Sequence, residues 1–252
     1  MHARARVQTT LRTISFALQL TFVLTGVAIA QQPPEPPKAR EGKAEFALVS
    51  TTGNASSQSI GAAAEITLRP ERWVIDARTA FVRNESEDVV NAKSFLVRGR
   101  VARVLTPRLQ VFGQHSYLRD LFAGVEHRNN TEGGLTYLVF ETARHTFSAD
   151  AGLGYLNEQR TVGDNLSTAT AGGAGRYKLK LSETSDITED LGVTVDLSED
   201  GTWRLNQRVA LTAKVTAALS LKISNSIRYV DEPVAGFEQT DTITAAALVL
   251  SF

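Results

Sequence analysis

The stretch TITAAALVLSF at residues 242–252 predicts the fold class of this chain. Alternate residues from Ala246 through Leu248 and Leu250 to Phe252 are apolar, and the stretch ends on an aromatic ring. A period of two places such residues on one face of a β-strand. We therefore expect the closing strand of a membrane β-barrel, with Leu248, Leu250 and Phe252 as the terminal signal that the barrel-assembly machinery recognises.

The other end of the chain has the pattern of an export signal. Three arginines precede an apolar run from Ile14 to Ala30, and residues 1–30 contain no acidic residue. Secretory signals typically have a basic start, an apolar run and a cleavage site of small residues, as at Ala28-Ile29-Ala30. Polar residues interrupt the run, which argues against a permanent helical anchor. We expect residues 1–30 to be a cleaved secretory signal peptide.

Composition excludes several classes of protein. The 27 basic and 27 acidic residues cancel, and removal of residues 1–30 takes away only basic ones, so nothing favours a nucleic-acid partner. With no cysteine, disulfides, thiol chemistry and an N-terminal lipid anchor are excluded. Beyond residue 30 no run approaches the about 20 apolar residues of a transmembrane helix, so a chain this polar spans a bilayer only as a barrel.

The remaining chain divides into a short leader and one domain. Four prolines in Pro33-Pro34-Glu35-Pro36-Pro37 predict a disordered, proline-rich periplasmic leader over residues 31–42. Period-two alternation then predicts an all-β fold over 43–252, a transmembrane antiparallel up-and-down β-barrel of about 12 strands. The predicted strands are 43–52, 57–69, 72–84, 91–105, 108–119, 125–141, 144–158, 166–181, 184–198, 202–215, 219–230 and 239–252.

The predicted connections alternate between tight and longer ones. Short periplasmic turns, longer outer loops and an even strand number are usual in bacterial barrels, although ten or fourteen strands would also fit. A soluble sandwich would alternate as well, but aromatics near the strand ends favour the interfacial girdles of a membrane barrel. The tight turns are at 70–71, 106–107, 142–143, 182–184 and 216–218, and the longer loops at 84–90, 120–124, 159–165, 199–201 and 231–238.

These segments resemble a known family. The likeness is strongest in Val49-Ser50-Thr51-Thr52-Gly53-Asn54 and in the stretch from Val111 to Gly124, and it extends to Ala151-Gly152-Leu153-Gly154-Tyr155 and the close at Ser251-Phe252. The chain resembles the salt-induced outer membrane proteins, an envelope β-barrel domain family of unknown function. That resemblance implies a location in the outer membrane and a link to osmotic stress, and it implies no reaction.

Ionic side chains occupy the inward positions of the predicted strands. Hairpin centres set which of them lie opposite one another, and such pairs stabilise a sheet by roughly 0.2–1 kcal/mol each. The predicted pairs are Lys180 with Asp186, Arg176 with Asp190, and Asp196 with Arg204. The predicted lumen-lining residues are Arg98, Arg100, Arg176, Lys178, Lys180, Asp186, Asp190, Asp196, Arg204, Arg208, Lys214, Lys222, Arg228 and Asp241, together with Glu45, Glu65 and Asp76.

Two passive functions fit this interior equally well. The first is a narrow solute or ion pore, in which a basic strip on strands ten and eleven would favour anions. The second is a plugged structural barrel whose ionic side chains pack against each other. Both functions involve no bond chemistry, no cofactor and no metal. Both suit a monomer that is exported through its cleavable signal and lies in outer-membrane lipid. The partners of a pore would be small ions or solutes.

Two other functions are weaker alternatives. A lipid-hydrolysing barrel needs a histidine and a serine on the outer wall. His115 and His127 are expected to face outward, but Ser116 is expected to face inward and Asn129 is the only nearby orienting group. A barrel that binds partners through its outer loops is the other alternative, although no predicted loop is long enough to form a broad platform.

Overall fold

The computed structural model describes residues 38–52, 57–86, 89–198 and 201–252. Twelve strands in these residues form one closed barrel, in which each strand pairs antiparallel with its neighbours in sequence and β1 pairs with β12. The strands are β1 (Arg40–Thr52), β2 (Ser57–Leu68), β3 (Trp73–Ser86), β4 (Val89–Val104), β5 (Leu109–Asp120), β6 (Val125–Glu141), β7 (His145–Arg160), β8 (Leu166–Lys180), β9 (Ser185–Asp196), β10 (Trp203–Lys214), β11 (Leu219–Val230) and β12 (Thr240–Ser251).

The predicted fold class and strand number are confirmed, and most strand limits agree within two residues. The predicted signal peptide, residues 1–30, and residues 31–37 of the predicted leader lie outside the described residues. Strand β1 begins at Arg40, so residues 40–42, which we assigned to the leader, pair with β2.

The predicted long loop at 84–90 is wrong. Strands β3 and β4 continue to pair through Glu85 with Val90 and Ser86 with Val89, after a register shift at Asn84. The register shift is a β-bulge, which interrupts the alternation of side chains, so this segment was predicted to be a loop. Only residues 87–88 separate the two strands.

The outer wall is apolar because the strands alternate. Outward side chains such as Phe46, Leu48 and Ile223 are 60–71% exposed, whereas inward Val249 and Ala210 are buried. A soluble sheet would cover those outward residues with a second layer. In the described part of the chain, no helix is long and apolar enough to cross a membrane.

The barrel closes at a seam between β1 and β12. The backbone N–H of Gly42 donates to the carbonyl of Phe252 at 2.9 Å, and the N–H of Phe252 donates back to Gly42 at 3.0 Å. The Phe252 ring lies over the Cα of Gly42, where a Cβ atom would collide with it. Glycine at position 42 therefore makes room for the aromatic residue that follows the last strand.

The two ends of the barrel differ in their connections. Turns of three or four residues join β2 to β3, β4 to β5, β6 to β7, β8 to β9 and β10 to β11 at the end where β1 begins and β12 ends. Connections at the other end reach nine residues, at 231–239, and include a 3-10 turn at Leu121–Ala123 that the sequence did not predict. In outer-membrane barrels the short turns usually lie at the periplasmic end, so we name this end periplasmic and the other end extracellular.

Aromatic side chains lie near both ends of the outer wall. At the extracellular end Trp203 and Tyr229 stack with centroids 4.7 Å apart, and the Tyr117 hydroxyl lies 2.6 Å from Nδ1 of His127. At the periplasmic end, Nδ1 of His145 lies 2.7 Å from the Tyr177 hydroxyl. Aromatic side chains with a polar tip suit the lipid–water interface, so the two rims mark the limits of the apolar band.

Candidate functional site in the barrel interior

Ionic side chains bridge strands that are not neighbours in the barrel wall. Arg100 on β4 bonds to Asp150 on β7, and Arg204 on β10 contacts Glu158, also on β7. Two strands of wall separate the partners in each pair. Such contacts are possible only through the interior, so these side chains point into the barrel.

A buried group in the periplasmic half is centred on Asp150, and we call it the lower cluster. Arg100 Nη1 lies 3.1 Å and Arg176 Nη2 2.8 Å from the same carboxylate oxygen of Asp150. Arg100 also donates to Thr136 Oγ1 at 2.6 Å, and its guanidinium stacks on the Phe112 ring at 3.8 Å from the centroid. These bonds and the stacking hold Arg100 against one side of the wall.

A second group near the extracellular end is centred on Glu158, and we call it the upper cluster. Arg128 Nε donates to one carboxylate oxygen at 2.6 Å, and Arg160 Nε donates to the other at 2.8 Å. Arg204 Nη2 lies 3.6 Å away. One fully buried carboxylate therefore holds three guanidinium groups and ties β6, β7 and β10 together.

The extracellular mouth is crossed by contacts between opposite sides of the barrel. Strands β5 and β11 face each other, with β6–β10 on one side and β12 and β1–β4 on the other. Arg228 Nη1 of β11 nevertheless lies 2.5 Å from Asp120 Oδ2 of β5. Beside this bond, the Phe237 ring packs against Gly124, so that the 121–124 and 231–239 connections meet. We call these two contacts the mouth bridge.

In several of these ion pairs the cation is the more exposed partner, whereas in the pairs of Arg78 with Glu65 and of Lys222 with Glu45 it is the carboxylate. Asp150 is 8% exposed in its side chain and its partner Arg176 is 41% exposed. Asp120 is 2% and Arg228 33% exposed. Lys178, 3.7 Å from Asp186, is the more exposed partner of that pair as well. Beside Asp150, Asp120 and Asp186, water inside the barrel is therefore in contact with the guanidinium or ammonium group more than with the carboxylate.

The other predicted site residues are placed as follows. Lys180 lies opposite Asp186 and Arg176 opposite Asp190 in the ladder, yet the close ion pairs are Lys178 with Asp186 and Arg176 with Asp150. Four of the other residues have side-chain contacts: Lys222 with Glu45 at 2.7 Å, Arg208 Nε donating to Ser226 at 3.1 Å, Glu65 within 4.0 Å of Arg78, and Asp76 accepting from Thr67 at 2.7 Å. In the ladder, Arg208 lies opposite Asp190, Asp241 opposite Arg228, exposed Lys214 opposite Ser220, and Arg98 opposite Arg78 and Ser116.

The predicted pairing of Asp196 with Arg204 is wrong. Arg204 lies opposite Thr194, because the hairpin is centred at residue 199 and not at 200. The Asp196 carboxylate accepts hydrogen bonds from the backbone N–H of Ser198 at 2.7 Å and from Thr168 Oγ1 at 2.5 Å. These local bonds fix the start of the turn, as aspartate commonly does, and leave Arg204 to Glu158.

Sequence reasoning missed the acidic centres of the interior. Asp120, Asp150 and Glu158 were not among the predicted lumen residues, although each holds at least one arginine. Alternation from outward Tyr155 would have placed Glu158 and Asp150 on the inner face. Alternation along β5 from outward Tyr117 would likewise have placed Asp120 on the inner face.

The histidines have partners in the wall. His115 Nδ1 lies 2.9 Å from Thr131 Oγ1, and His127 is bonded to Tyr117, both on the outward face. Ser116 lies on the inner face, opposite Arg98 and Asn130. Across the described ranges, no three His, Cys, Asp or Glu side chains are grouped so as to hold a metal ion.

The chain is similar to known proteins in its sequence and in its fold. The profile of the family described as "Protein of unknown function, DUF481" matches residues 44–252. The protein "Uncharacterized protein YdiY" of Escherichia coli (strain K12) is 26% identical over 225 residues, which are 87% of this chain and 86% of that protein.

Two solved structures share the fold. The NanC porin matches with a TM-score of 0.57 at 9% identity, over 82% of this chain and 98% of that one. The COG4313 outer membrane channel from Pseudomonas putida F1 matches with a TM-score of 0.52 at 10% identity, over 90% and 100%. At such identities the likeness is one of fold alone, that of outer-membrane porins and channels.

Proposed function

We propose that this chain, which belongs to the DUF481 family of proteins of unknown function, forms a narrow outer-membrane channel for small anions. The match to this family confirms the expected membership of an envelope-barrel family of unknown function. The single observation that carries the proposal is that Arg176 and Arg228 are partly exposed in the interior, while the carboxylates that they pair with, Asp150 and Asp120, are buried.

Selection would follow from charge and width. The acids of the lower and upper clusters are each held by more than one arginine, so they are screened from an ion in the interior. Lys178, Lys180 and Lys214 remain exposed near the periplasmic end. An entering anion would exchange part of its hydration for these groups, whereas a cation would be repelled.

The predicted basic strip on β10 and β11 contributes less to this preference than its residue types suggest. Arg204, Arg228 and Lys222 each have an acidic partner, Glu158, Asp120 and Glu45 respectively. Arg208 and Lys214 are the members whose positive charge no such close ion pair offsets among the described residues. The β8 side chains Lys178 and Lys180 extend the exposed positive surface.

Charge neutralisation in this region tests the proposal. The Lys178→Gln/Lys214→Gln variant should shift the reversal potential in a salt gradient toward that of the cation, because two exposed positive charges leave the interior. The control is Arg103→Gln, which removes a cation stacked on Trp73 on the outer wall. Equal reversal potentials for the double variant and the unmodified protein would contradict selection by these lysines.

A plugged structural barrel is the second candidate, and the mouth bridge is the observation that favours it. If the contacts of Asp120 with Arg228 and of Gly124 with Phe237 are permanent, the interior serves only to hold the wall together. The two candidates differ in conductance, which a pore shows and a plug does not.

Location and physiological role complete the proposal. We place the protein in the bacterial outer membrane as a monomer, exported through residues 1–30, and recognition of the β12 strand by the assembly machinery stays a prediction. The family resemblance leads us to propose a role in salt stress. A strain that lacks the protein should recover growth more slowly after a rise in salt, and recovery at the wild-type rate would contradict that role.

A further inference from the structure

A row of four polar side chains crosses the inner wall of the barrel from β3 to β6. Arg98 is two residues from Arg100, which points into the barrel, so it shares that face of β4. In the ladder Arg98 lies between Arg78 on β3 and Ser116 on β5, and Asn130 on β6 lies opposite Ser116. Residues directly opposite each other share a face of the sheet, so all four point inward. We call Arg78, Arg98, Ser116 and Asn130 the inner row.

The inner row lies between the two ionic clusters. Arg98 is two residues from Arg100 of the lower cluster, and Asn130 is two residues from Arg128 of the upper cluster. Neighbouring strands are about 4.8 Å apart, so the four side chains start within about 15 Å of one another along the wall. A small ligand in the middle of the barrel is therefore within reach of side chains from more than one strand.

The hydrogen-bonding groups of the inner row are largely unused by the protein. Nε of Arg78 and Oδ1 of Asn130 are buried and have no hydrogen-bond partner in the part of the chain that the structure describes. Across the same ranges, the Ser116 hydroxyl makes no hydrogen bond, and the Arg98 guanidinium makes neither a hydrogen bond nor an ion pair within 4.0 Å. Folded proteins leave few such groups unpaired, so their concentration on one part of the wall indicates a ligand.

One carboxylate serves the two guanidinium groups of the inner row. Arg78 and Arg98 lie directly opposite each other, and like charges in that position destabilise a sheet. Glu65 is 4.0 Å from Nη1 of Arg78, and its side chain is 41% exposed. The same carboxylate attracts Arg98, and it lies opposite exposed Lys43 in the ladder. Glu65 is therefore divided among three cations.

A third guanidinium faces the inner row from the other side of the barrel. Arg208 on β10 and Arg78 on β3 repel each other through the interior. The acids that attract Arg208 are exposed Asp190, opposite it in the ladder, and Glu45, which is bonded to Lys222 at 2.7 Å. The acids Glu45, Glu65 and Asp190 thus face at least five cations, which are Arg78, Arg98, Arg208, Lys43 and Lys222. The middle of the barrel is positively charged even with its acids counted.

The chemistry of the inner row suits an oxyanion. Guanidinium groups bind phosphate and carboxylate oxygens through paired, charge-assisted hydrogen bonds. A serine hydroxyl donates a hydrogen bond, and an asparagine carboxamide both donates and accepts, so it suits an oxygen or a hydroxyl of the anion. The oxygens of a tetrahedral anion point in different directions and can meet donors from several strands at once.

We propose that the inner row binds a tetrahedral oxyanion such as phosphate, with Arg78 and Arg98 on its charged oxygens and Ser116 and Asn130 on the others. This assignment rests on the proposed function, because it names the class of anion that the channel would favour. Binding itself needs access to the interior from only one end, so it is measured without conduction.

Calorimetric titration of inorganic phosphate into the folded barrel in detergent, with chloride holding the ionic strength constant, tests the site. The unmodified protein should bind one phosphate, and Arg98→Gln should bind it at least tenfold more weakly because one of the two guanidinium groups is lost. The matched control is Arg103→Gln on the same strand, which removes an exposed arginine stacked on Trp73 of the outer wall and should bind like the unmodified protein. Equal affinities of the two variants would overturn the site.

Two further comparisons address the other members of the row and the class of anion. Ser116→Ala removes only a hydroxyl and should weaken phosphate binding several-fold in a barrel whose folding is verified by its heat-dependent gel mobility. An unchanged affinity would overturn the assignment of Ser116 to the site. Acetate, with one charge and two oxygens, should bind at least tenfold more weakly than phosphate, and equal affinity would overturn the choice of a tetrahedral anion.

Calorimetry and bilayer recordings together separate the site from the channel. Phosphate binding by a folded barrel that carries no current would contradict the channel and support the site. An anion-selective current through a barrel that does not bind phosphate would overturn the site and support the channel.

Discussion

Replacing Glu158 by glutamine should lower the free energy of unfolding by about 3–5 kcal/mol, the range for removing one partner of a buried ion pair. The carboxylate is buried, and it holds Arg128, Arg160 and Arg204 on three strands. Without its charge, three guanidinium groups would repel one another in a confined space. Urea unfolding of the refolded barrel in lipid vesicles measures this loss.

Glu126→Gln provides the matched control for that measurement. Glu126 is an exposed carboxylate on β6, so its substitution should change the free energy of unfolding by less than about 1 kcal/mol. If Glu158→Gln unfolds at the same urea concentration as Glu126→Gln, the upper cluster does not stabilise the wall as its contacts indicate.

Opening the mouth bridge should raise the conductance of single channels several-fold. In Arg228→Gln/Phe237→Ala the ion pair with Asp120 and the packing on Gly124 are both lost, so the two opposite connections no longer meet. The extracellular end of the interior is then less obstructed, while the lysines near the periplasmic end keep their charge. The anion preference should therefore remain as the current increases, which planar-bilayer recordings measure.

The control for the mouth variant removes the same residue types elsewhere. Arg72→Gln/Phe46→Ala takes an exposed arginine from a periplasmic turn and a lipid-facing phenylalanine from β1. Its conductance should equal that of the unmodified barrel. If both double variants carry the same current, the contact between the 121–124 and 231–239 connections does not limit conduction.

The wall of this barrel could be predicted from sequence because its determinants are local. In β10 and β11 apolar residues such as Leu211 and Ile223 alternate with polar ones along most of each strand, and Gln207 and Asn225 are polar exceptions on the outward face. The turn centred on Glu183 likewise follows from the short connection between β8 and β9. Local spacing therefore sufficed for twelve strands and for the β8–β9 register.

The interior could not be predicted in the same way. The bond between Asp120 and Arg228 joins residues that are 108 positions apart on opposite strands. It depends on the positions of the connections at the extracellular end. Asp196 was paired with the wrong residue because its side chain bonds to its own turn, which moves the hairpin centre by one residue. Contacts across the lumen follow from the shape of the closed barrel, which strand alternation does not specify.

Anion selectivity is measured by the reversal potential of the unmodified barrel in a planar bilayer that separates unequal concentrations of potassium chloride. A steady, small single-channel current that reverses near the chloride equilibrium potential is the result that the exposed cations predict. A current that reverses near the potassium equilibrium potential, or no current from protein shown to be folded and inserted, would contradict a channel for anions.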